Sequence, residues 1–279
     1  MWVGQQLADG LDFWGFLGSL ILGGIILGIY TGLLGYVGAK TGLSLDLLSQ
    51  RAFGEKGSYL PSAMTSFTQI GWFGVGSFVS GGTATPNFAR FAKNGKSGAI
   101  TTVVAFFIGN SLMFFFGAVS SIFVGGNDIF EVMVRLNLFY LAVLVLGLNI
   151  WTTNDNALYT AGLGLANIFH QRKKPMVLLS GIIGTVASVW LYYNFCGWLN
   201  ILNCPLPPVG MILVLAYFMN KEDFETDQPK LKTIDWFAVA GVILGAIVAN
   251  LLHWGIASIN GMVVAAVCYC VGQAVNKRK

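Results

Sequence analysis

Among 279 residues there are only 16 Lys or Arg and 12 Asp or Glu, so 10% of the chain is charged, against roughly 25% in a soluble globular protein. Apolar residues make up 55%, 36 glycines come on top, and the mean hydropathy is +0.70, a composition that cannot furnish a water-facing surface. A cytosolic enzyme, a secreted disulfide scaffold and a disordered tail are excluded, and so is a nucleic-acid binder, because the net charge of +4 is spread over loops and forms no basic face.

What remains is an all-α polytopic membrane protein, read as a single transmembrane domain over residues 1–279. The chain opens without a basic region, a short apolar stretch and a small-residue cleavage site, so no removable signal peptide is expected. A spanning helix needs about 20 mostly apolar residues. The first such stretch, 12–38, carries Gly24, Gly28 and Gly32 at four-residue spacing, a flat strip that lets neighbouring helices approach closely. A loop at 40–57 follows, and then a weaker stretch at 58–82 that is rich in Gly, Ser and Thr. Strong apolar stretches at 98–124, 137–164, 175–196, 206–220, 233–253 and 256–274 complete the set, 206–220 being short. Cys196 and Cys204 flank a short loop, Cys268 and Cys270 sit in an apolar segment, and neither spacing matches a metal site or a redox motif.

Loop charge fixes orientation, since Lys and Arg are retained on the cytoplasmic side. Arg90, Lys93 and Lys96, then Arg172, Lys173 and Lys174, then Lys221, Lys230 and Lys232, then Lys277, Arg278 and Lys279 mark four cytoplasmic sites, the last of them the C-terminus. The parity fails once: Lys40, Arg51 and Lys56 make the 40–57 loop cytoplasmic too, yet only the 58–82 stretch separates it from the loop at 83–97. Either that stretch is re-entrant, which is tolerated where backbone is covered by protein or lines a cavity, or residues that completed the crossings are absent.

Of the carboxylates only Asp155 falls deep within an apolar segment, in the polar run Asn149 to Asn156. Asn149, Thr152, Thr153 and Asn156 fall at i, i+3, i+4 and i+7 and share one helix face. Two hydroxyls and two amides near mid-membrane suit a hard monovalent cation or a polar solute, or else glue helices together by hydrogen bonds. Asp155 points beside this stripe, so a packing hydrogen bond, a proton-sensitive role and cation ligation stand open. The 58–82 stretch offers Gln69, Trp72 and Phe73, then Ser77, Phe78, Ser80 and Gly81, among several glycines. Aromatic faces hold planar rings, and an amide donates and accepts along a ring edge, so a planar uncharged solute fits; ordinary lipid-facing or core aromatics are the alternative. His170 and His253 have no Cys or carboxylate at ligand spacing, and no phosphate-binding glycine loop is present, so the chain does not read as an enzyme.

The segments Leu27 to Gly32, Gly35 to Gly42, Gln69 to Gly76 and Gly147 to Tyr159 closely resemble the nucleobase–cation symporter family, over nearly the whole chain. The resemblance implies a twelve-helix, LeuT-like inverted-repeat transporter, a monomer of the bacterial inner membrane, that takes up cytosine or a related nucleobase with sodium as coupling ion and without a cofactor. By the same resemblance Gln69 bonds the base and Trp72 stacks on it, Phe78 is the second face of the sandwich, and Ser77, Ser80 and the backbone of Gly81 add polar contacts. Asn149 is then the substrate amide of helix 8, and Thr152 and Thr153 hold sodium together with helix 1 carbonyls. Two departures stand out. The chain starts inside helix 1, and Gly76 resembles helix 3 while Ser77 resembles helix 6, so helices 4 and 5 with their flanks are missing at the point where the charge parity fails. The implied alternatives are a transport-inactive deletion form and a symporter for another planar heterocycle such as a purine, a hydantoin or thiamine.

Overall fold

The computed structural model describes residues 12–75, 83–125, 129–194, 197–198, 202, 204–226, 229, 231–252 and 254–277. Helix α1 (Phe13–Thr41) starts at Asp12, whose carboxylate accepts from the Gly15 amide at 3.0 Å. It stops at Gly42, which turns left-handed (φ 68°) and donates its N–H to the Gly38 carbonyl. Its 29 residues span about 44 Å, more than the hydrocarbon thickness of a bilayer.

A short helix α2 (Leu45–Phe53) occupies the stretch that the sequence reads as a loop; Ser44 caps it by accepting from the Leu47 amide. Helix α3 (Tyr59–Val75) covers most of the 58–82 stretch, and residues 76–82 lie outside the described ones. The chain resumes at Thr83 and makes one turn of helix, α4 (Pro86–Ala89). Helix α5 (Gly95–Val124) follows, with a π-turn at Ala105–Gly109. Then come α6 (Ile129–Arg135), α7 (Phe139–Phe169), α8 (Lys173–Tyr193), α9 (Leu206–Met219), α10 (Lys221–Glu225), α11 (Trp236–Leu251) and α12 (Ala257–Lys277).

Among the described residues, Phe13–Thr41, Gly95–Val124, Lys173–Leu191 and Ala257–Val275 are long and apolar enough to cross a membrane. Helices α9 and α11 are apolar but shorter. Although α7 has 31 residues, it is not among the four, because the polar run Asn149 to Asn156 interrupts its apolar length.

Three packed groups make up the molecule. In the first, α1 lies against α5, with α4 at its end. The glycine strip is the contact: a Cβ on Gly32 would stand 2.6 Å from Val103, and one on Gly35 would meet Thr102 and the Gly98 carbonyl at 3.0 Å. Backbones can come this close only where side chains are absent. The second group is α3, α7 and α8, and the third is α9, α11 and α12. Helix α2 is wedged between them. Its Leu45, Leu48, Ala52 and Phe53 join Leu34 and Val37 of α1 and Val209, Ile212 and Leu213 of α9 in the main buried cluster. Elsewhere large apolar side chains face outward, as Leu178, Ile182, Val186 and Trp190 do along α8, which is what a lipid-facing helix requires.

Loops that carry the excess Lys and Arg gather at one face. The Glu55 and Lys56 amides donate to the carbonyls of Lys232 and Thr233, and the Asp235 amide donates to the Phe53 carbonyl. Lys40 lies 3.8 Å from Glu225, Arg51 donates to the Asp223 carbonyl, and Tyr59 bonds His170. Thr83 shares a hydrogen bond with Tyr30, eleven residues and so about 16 Å up α1 from Thr41. The segment after residue 82 therefore descends from mid-depth to the face at which α3 begins. The loop before the 58–82 stretch and the later part of the loop after it, where Gly95 lies beside Lys40, both reach this face.

Candidate functional site

Helices α3 and α7 run antiparallel in close contact, and small polar side chains set their register. Asn167 donates to Ser58 and Ser62 at 3.0 and 2.9 Å, and Ser66 donates to the Ala161 carbonyl at 3.1 Å. Gly164 has no room for a side chain, since a Cβ there would lie 2.8 Å from the Ser62 carbonyl. Continued along both helices, this register sets position 69 level with about 157–158 and position 72 level with about 153–155.

Gln69 is buried, 7% exposed, on α3. Position 72 is one turn further on, where the backbone of α3 is described and the Trp72 side chain is not. Opposite, Thr153 and Asn154 are half-buried, and the side-chain oxygen of Asn154 is buried without a hydrogen-bond partner among the described residues. A buried amide oxygen without a donor is costly in a closed structure and marks a place where a polar ligand can settle. The structure thus brings position 72 level with the polar run of α7 and Gln69 just beyond its Asn156 end.

It does not bring the whole stripe with them. Asn149, Thr152 and Asn156 are exposed, and the Thr152 hydroxyl donates to its own helix, to the carbonyls of Leu148 and Asn149 at 3.2 and 3.1 Å. Asp155 is exposed as well, so the buried carboxylates among the described residues are Asp46 and Asp235, each 5% exposed. Ser77, Phe78, Ser80 and Gly81 lie outside the described residues. Among the described residues no three His, Cys, Asp or Glu converge as a metal site would require.

Two neighbours of this region have no counterpart in the sequence reading. The ring of Trp198 lies directly on Gly71, buried against Phe67 and close to Ala157 and Leu191. Tyr30 reaches from α1 to Thr83, the first described residue after the segment that holds Phe78. Only the crowding of Gly71 beside a distant Trp could have hinted at the first, and nothing local signals the second. An open apolar groove between α7 and α8, lined by Leu158, Val177, Gly181 and Ile182, lies away from all of these residues.

A family described as permease for cytosine/purines, uracil, thiamine and allantoin matches residues 1–84 and again 75–275. Cytosine permease of Escherichia coli (strain K12) is 36% identical over 372 aligned positions, covering 100% of this chain and 88% of the relative. Allantoin permease of Bacillus subtilis (strain 168) is 34% identical over 82 residues, 29% of this chain and 16% of that one. Among solved structures, Mhp1, a nucleobase-cation-symport-1 family transporter in a closed conformation with bromovinylhydantoin bound, superposes with a TM-score of 0.78. It is 14% identical, with 98% of this chain and 88% of that one covered, and it shows the LeuT-like fold.

The 372 aligned positions exceed the 279 residues of this chain by 93, so at least that many residues of the bacterial permease have no counterpart here. The two stretches matched by the family overlap at 75–84, around the join between Gly76 and Ser77 that the sequence reading had placed. The chain is a multi-pass membrane protein and not an enzyme: it belongs to the family of permeases for cytosine, purines, uracil, thiamine and allantoin, and within that family it lacks an internal block.

Proposed function

We propose that the substrate is cytosine and that the architecture this chain represents imports it across the bacterial inner membrane with sodium as coupling ion. The observation that carries the reading is the 36% identity to cytosine permease along the entire chain. The placing of position 72 level with the polar run of α7, and of Gln69 one turn away beside the end of that run, supports it, because a planar base needs an amide at its edge and a ring on its face. In this reading Phe78 closes the sandwich, Ser77, Ser80, Gly81 and Asn149 make the remaining polar contacts, and Thr152 and Thr153 supply oxygens to the cation. Thr152 fits that role after a rotation that frees its hydroxyl from the Leu148 and Asn149 carbonyls. The basic face is cytoplasmic, and the C-terminus lies there, since the end of α12 packs Gly272 against Phe237 at the start of α11.

One observation favours a second reading, that this chain is a deletion form which does not transport: 93 aligned positions of the relative have no counterpart here, and the family match is split in two at 75–84, between Gln69 and Asn149. Uptake of radiolabelled cytosine, with and without a sodium gradient, separates the two. Accumulation that needs sodium supports the transporter, cytosine binding without accumulation supports the deletion form, and accumulation of a purine or hydantoin in preference to cytosine overturns the choice of substrate.

A further inference from the structure

Two separate loops of the basic face each send a cation to one aromatic ring. Arg90, just past α4, donates to the Tyr159 hydroxyl of α7, and its guanidinium carbon lies 6.0 Å from the centre of that ring. Lys173, the first residue of α8, holds its Nζ 3.7 Å from the centre of the same ring. Cations brought to one side chain repel each other unless an anion stands among them. None does: among the described residues the ion pairs join Lys40 to Glu225, Arg135 to Glu131 and Lys232 to Asp235, and the first turn of α8 contains no acid. Asp46 feels the Arg90 charge only weakly, and its carboxyl is bonded to Ser62. Arg90 Nε is buried without a hydrogen-bond partner among the described residues, and Lys93, Arg172 and Lys174, which adjoin the pair in the chain, stand exposed.

The same two helices, α7 and α8, present a groove to lipid. They pack closely near the basic face, where a Cβ on Gly162 would lie 3.1 Å from the Val177 backbone, and leave room further on, where a Cβ on Gly181 would meet only the tip of the Leu158 side chain at 3.6 Å. Leu158, Val177, Leu178, Gly181, Ile182 and Val186 line an open apolar cavity of about 450 Å³. Leu158 adjoins Tyr159 in the chain and Val177 lies one turn on from Lys173, so the groove begins beside the two cations. From Val177 to Val186 it runs about 14 Å along α8, close to half of a hydrocarbon core roughly 30 Å thick, which is the depth of one leaflet.

We propose that this is a binding site for one anionic phospholipid, its headgroup phosphate held between Arg90 and Lys173 beside Tyr159 and one acyl chain laid along the α7–α8 groove. The phosphate supplies the missing negative charge, its oxygens accepting from the Arg90 guanidinium and the Lys173 ammonium. A free phosphate would satisfy the cations and leave the groove unused. A zwitterionic lipid would fill the groove but bring a further cation to a place that already has two. An anionic lipid matches both features. Charges that only hold a loop on the cytoplasmic side work from any position within it, so orientation does not account for two of them, from different loops, closing on one ring where a groove begins. Because Arg90 follows α4 and Lys173 opens α8, the bound phosphate also ties these two segments together.

The test titrates the purified full chain, in a mild detergent, with phosphatidylglycerol or with phosphatidylcholine of the same acyl chains, and counts bound lipid by native mass spectrometry. Each Lys or Arg near a membrane surface strengthens anionic-lipid attraction by about 5-fold. The parent should therefore hold one phosphatidylglycerol about 25-fold more tightly than phosphatidylcholine. Lys173→Gln, a change at an exposed side chain, should lose about 5-fold of this preference, and Arg90→Gln combined with it should lose the rest, whereas Arg90→Lys, which keeps the charge, should retain most of it. Gly181→Leu, whose side chain enters the groove without striking backbone, should weaken both lipids. Lys56→Gln with Lys221→Gln removes two charges of the same face, one beside Thr233 and one beside Phe218, and should change nothing. Equal binding of the two lipids by the parent, a parental preference in Lys173→Gln, an equal loss in the Lys56 and Lys221 variant, or undiminished binding in Gly181→Leu overturns the proposal. So does release of the phosphatidylglycerol by an excess of inorganic phosphate, which would make this a site for a free anion.

Discussion

A single carboxylate shows how far burial departs from what hydropathy suggests. In the sequence Asp155 is the deep acid and Asp46 a loop residue, yet Asp155 is exposed and Asp46 is buried between α2 and α3. The signal was present in weak form: Ser44 followed by Leu45, Leu48 and Ala52 reads as a capped amphipathic turn, and Asp46 lies in its first turn. Because its folded value is raised to about 6, Asp46 contributes most to stability when protonated, and that contribution is lost as pH rises from 3.8 through 6. Asp46→Asn should therefore stabilise the protein near neutral pH, by about 2–3 kcal/mol, and flatten the stability curve across the acid window, both readable from thermal unfolding in detergent at a series of pH values. At the candidate substrate site, Gln69→Ala should weaken cytosine binding by roughly 10- to 100-fold through the buried polar edge it leaves unpaired, and Trp72→Ala should do so by a similar factor through the lost stacking face. Equilibrium binding of labelled cytosine to each variant checks this, and parental affinity in either removes that residue from the site. The paired change Thr152→Val and Thr153→Val should abolish the sodium dependence of binding while unfolding stays near the parental temperature; full stimulation by sodium in that variant places the cation elsewhere.

At the scale of elements, spacing in the sequence is most informative where one helix face must be flat. The strip of Gly24, Gly28 and Gly32 foretells close packing, and the structure supplies the partner, α5, and prolongs the strip to Gly35 against the Gly98 backbone. No periodicity in α1 could have named α5, because glycines announce that something approaches and not what. Gly35→Ala tests the contact. The added methyl would meet the Gly98 carbonyl at 3.0 Å, and a backbone atom cannot swing aside as a side-chain tip can. A loss of about 1–3 kcal/mol is expected, seen as a lower unfolding temperature, whereas Gly18→Ala, where nothing lies within 4 Å, should change little. The polar stripe on α7 was equally legible as a face, and its placement was not. Asn149 and Thr152 fall on the open side of α7, and the register against α3 instead turns Thr153 and Asn154 toward it. A helical period tells which residues share a face; only the neighbouring helix decides which face is inside.

For the molecule as a whole, transport demands more than insertion. Secondary transporters of this architecture work by rocking one repeat against the other around a site near mid-membrane, so both repeats have to be present and must share the site. Here at least 93 residues found in the bacterial permease are absent, and the family match breaks at 75–84, between α3 and the segment that returns to the basic face. Helix α3, α7 and α8 still pack together, as do α1 and α5, so the remaining groups should assemble in a bilayer. Yet the two groups meet through polar contacts at one end and through the short helix α6 between α5 and α7, and the α8 side chains of Leu178, Ile182, Val186 and Trp190 look outward. A chain in this condition can bind a base if Gln69 and position 72 keep their level against α7. The expectation is that it builds no concentration gradient, because the match to the family is split at 75–84, between the segments that would carry the two halves of the site. Expressed in cells that lack other cytosine carriers, it should insert, as loop-cysteine labelling would show, and should not concentrate cytosine with or without sodium. Inserting the missing block of the Escherichia coli permease between Gly76 and Ser77 should restore sodium-dependent accumulation if the deletion is the cause. Accumulation above the outside concentration by the 279-residue chain itself would mean that the surviving groups suffice, and the requirement for two complete repeats would then not hold for this protein.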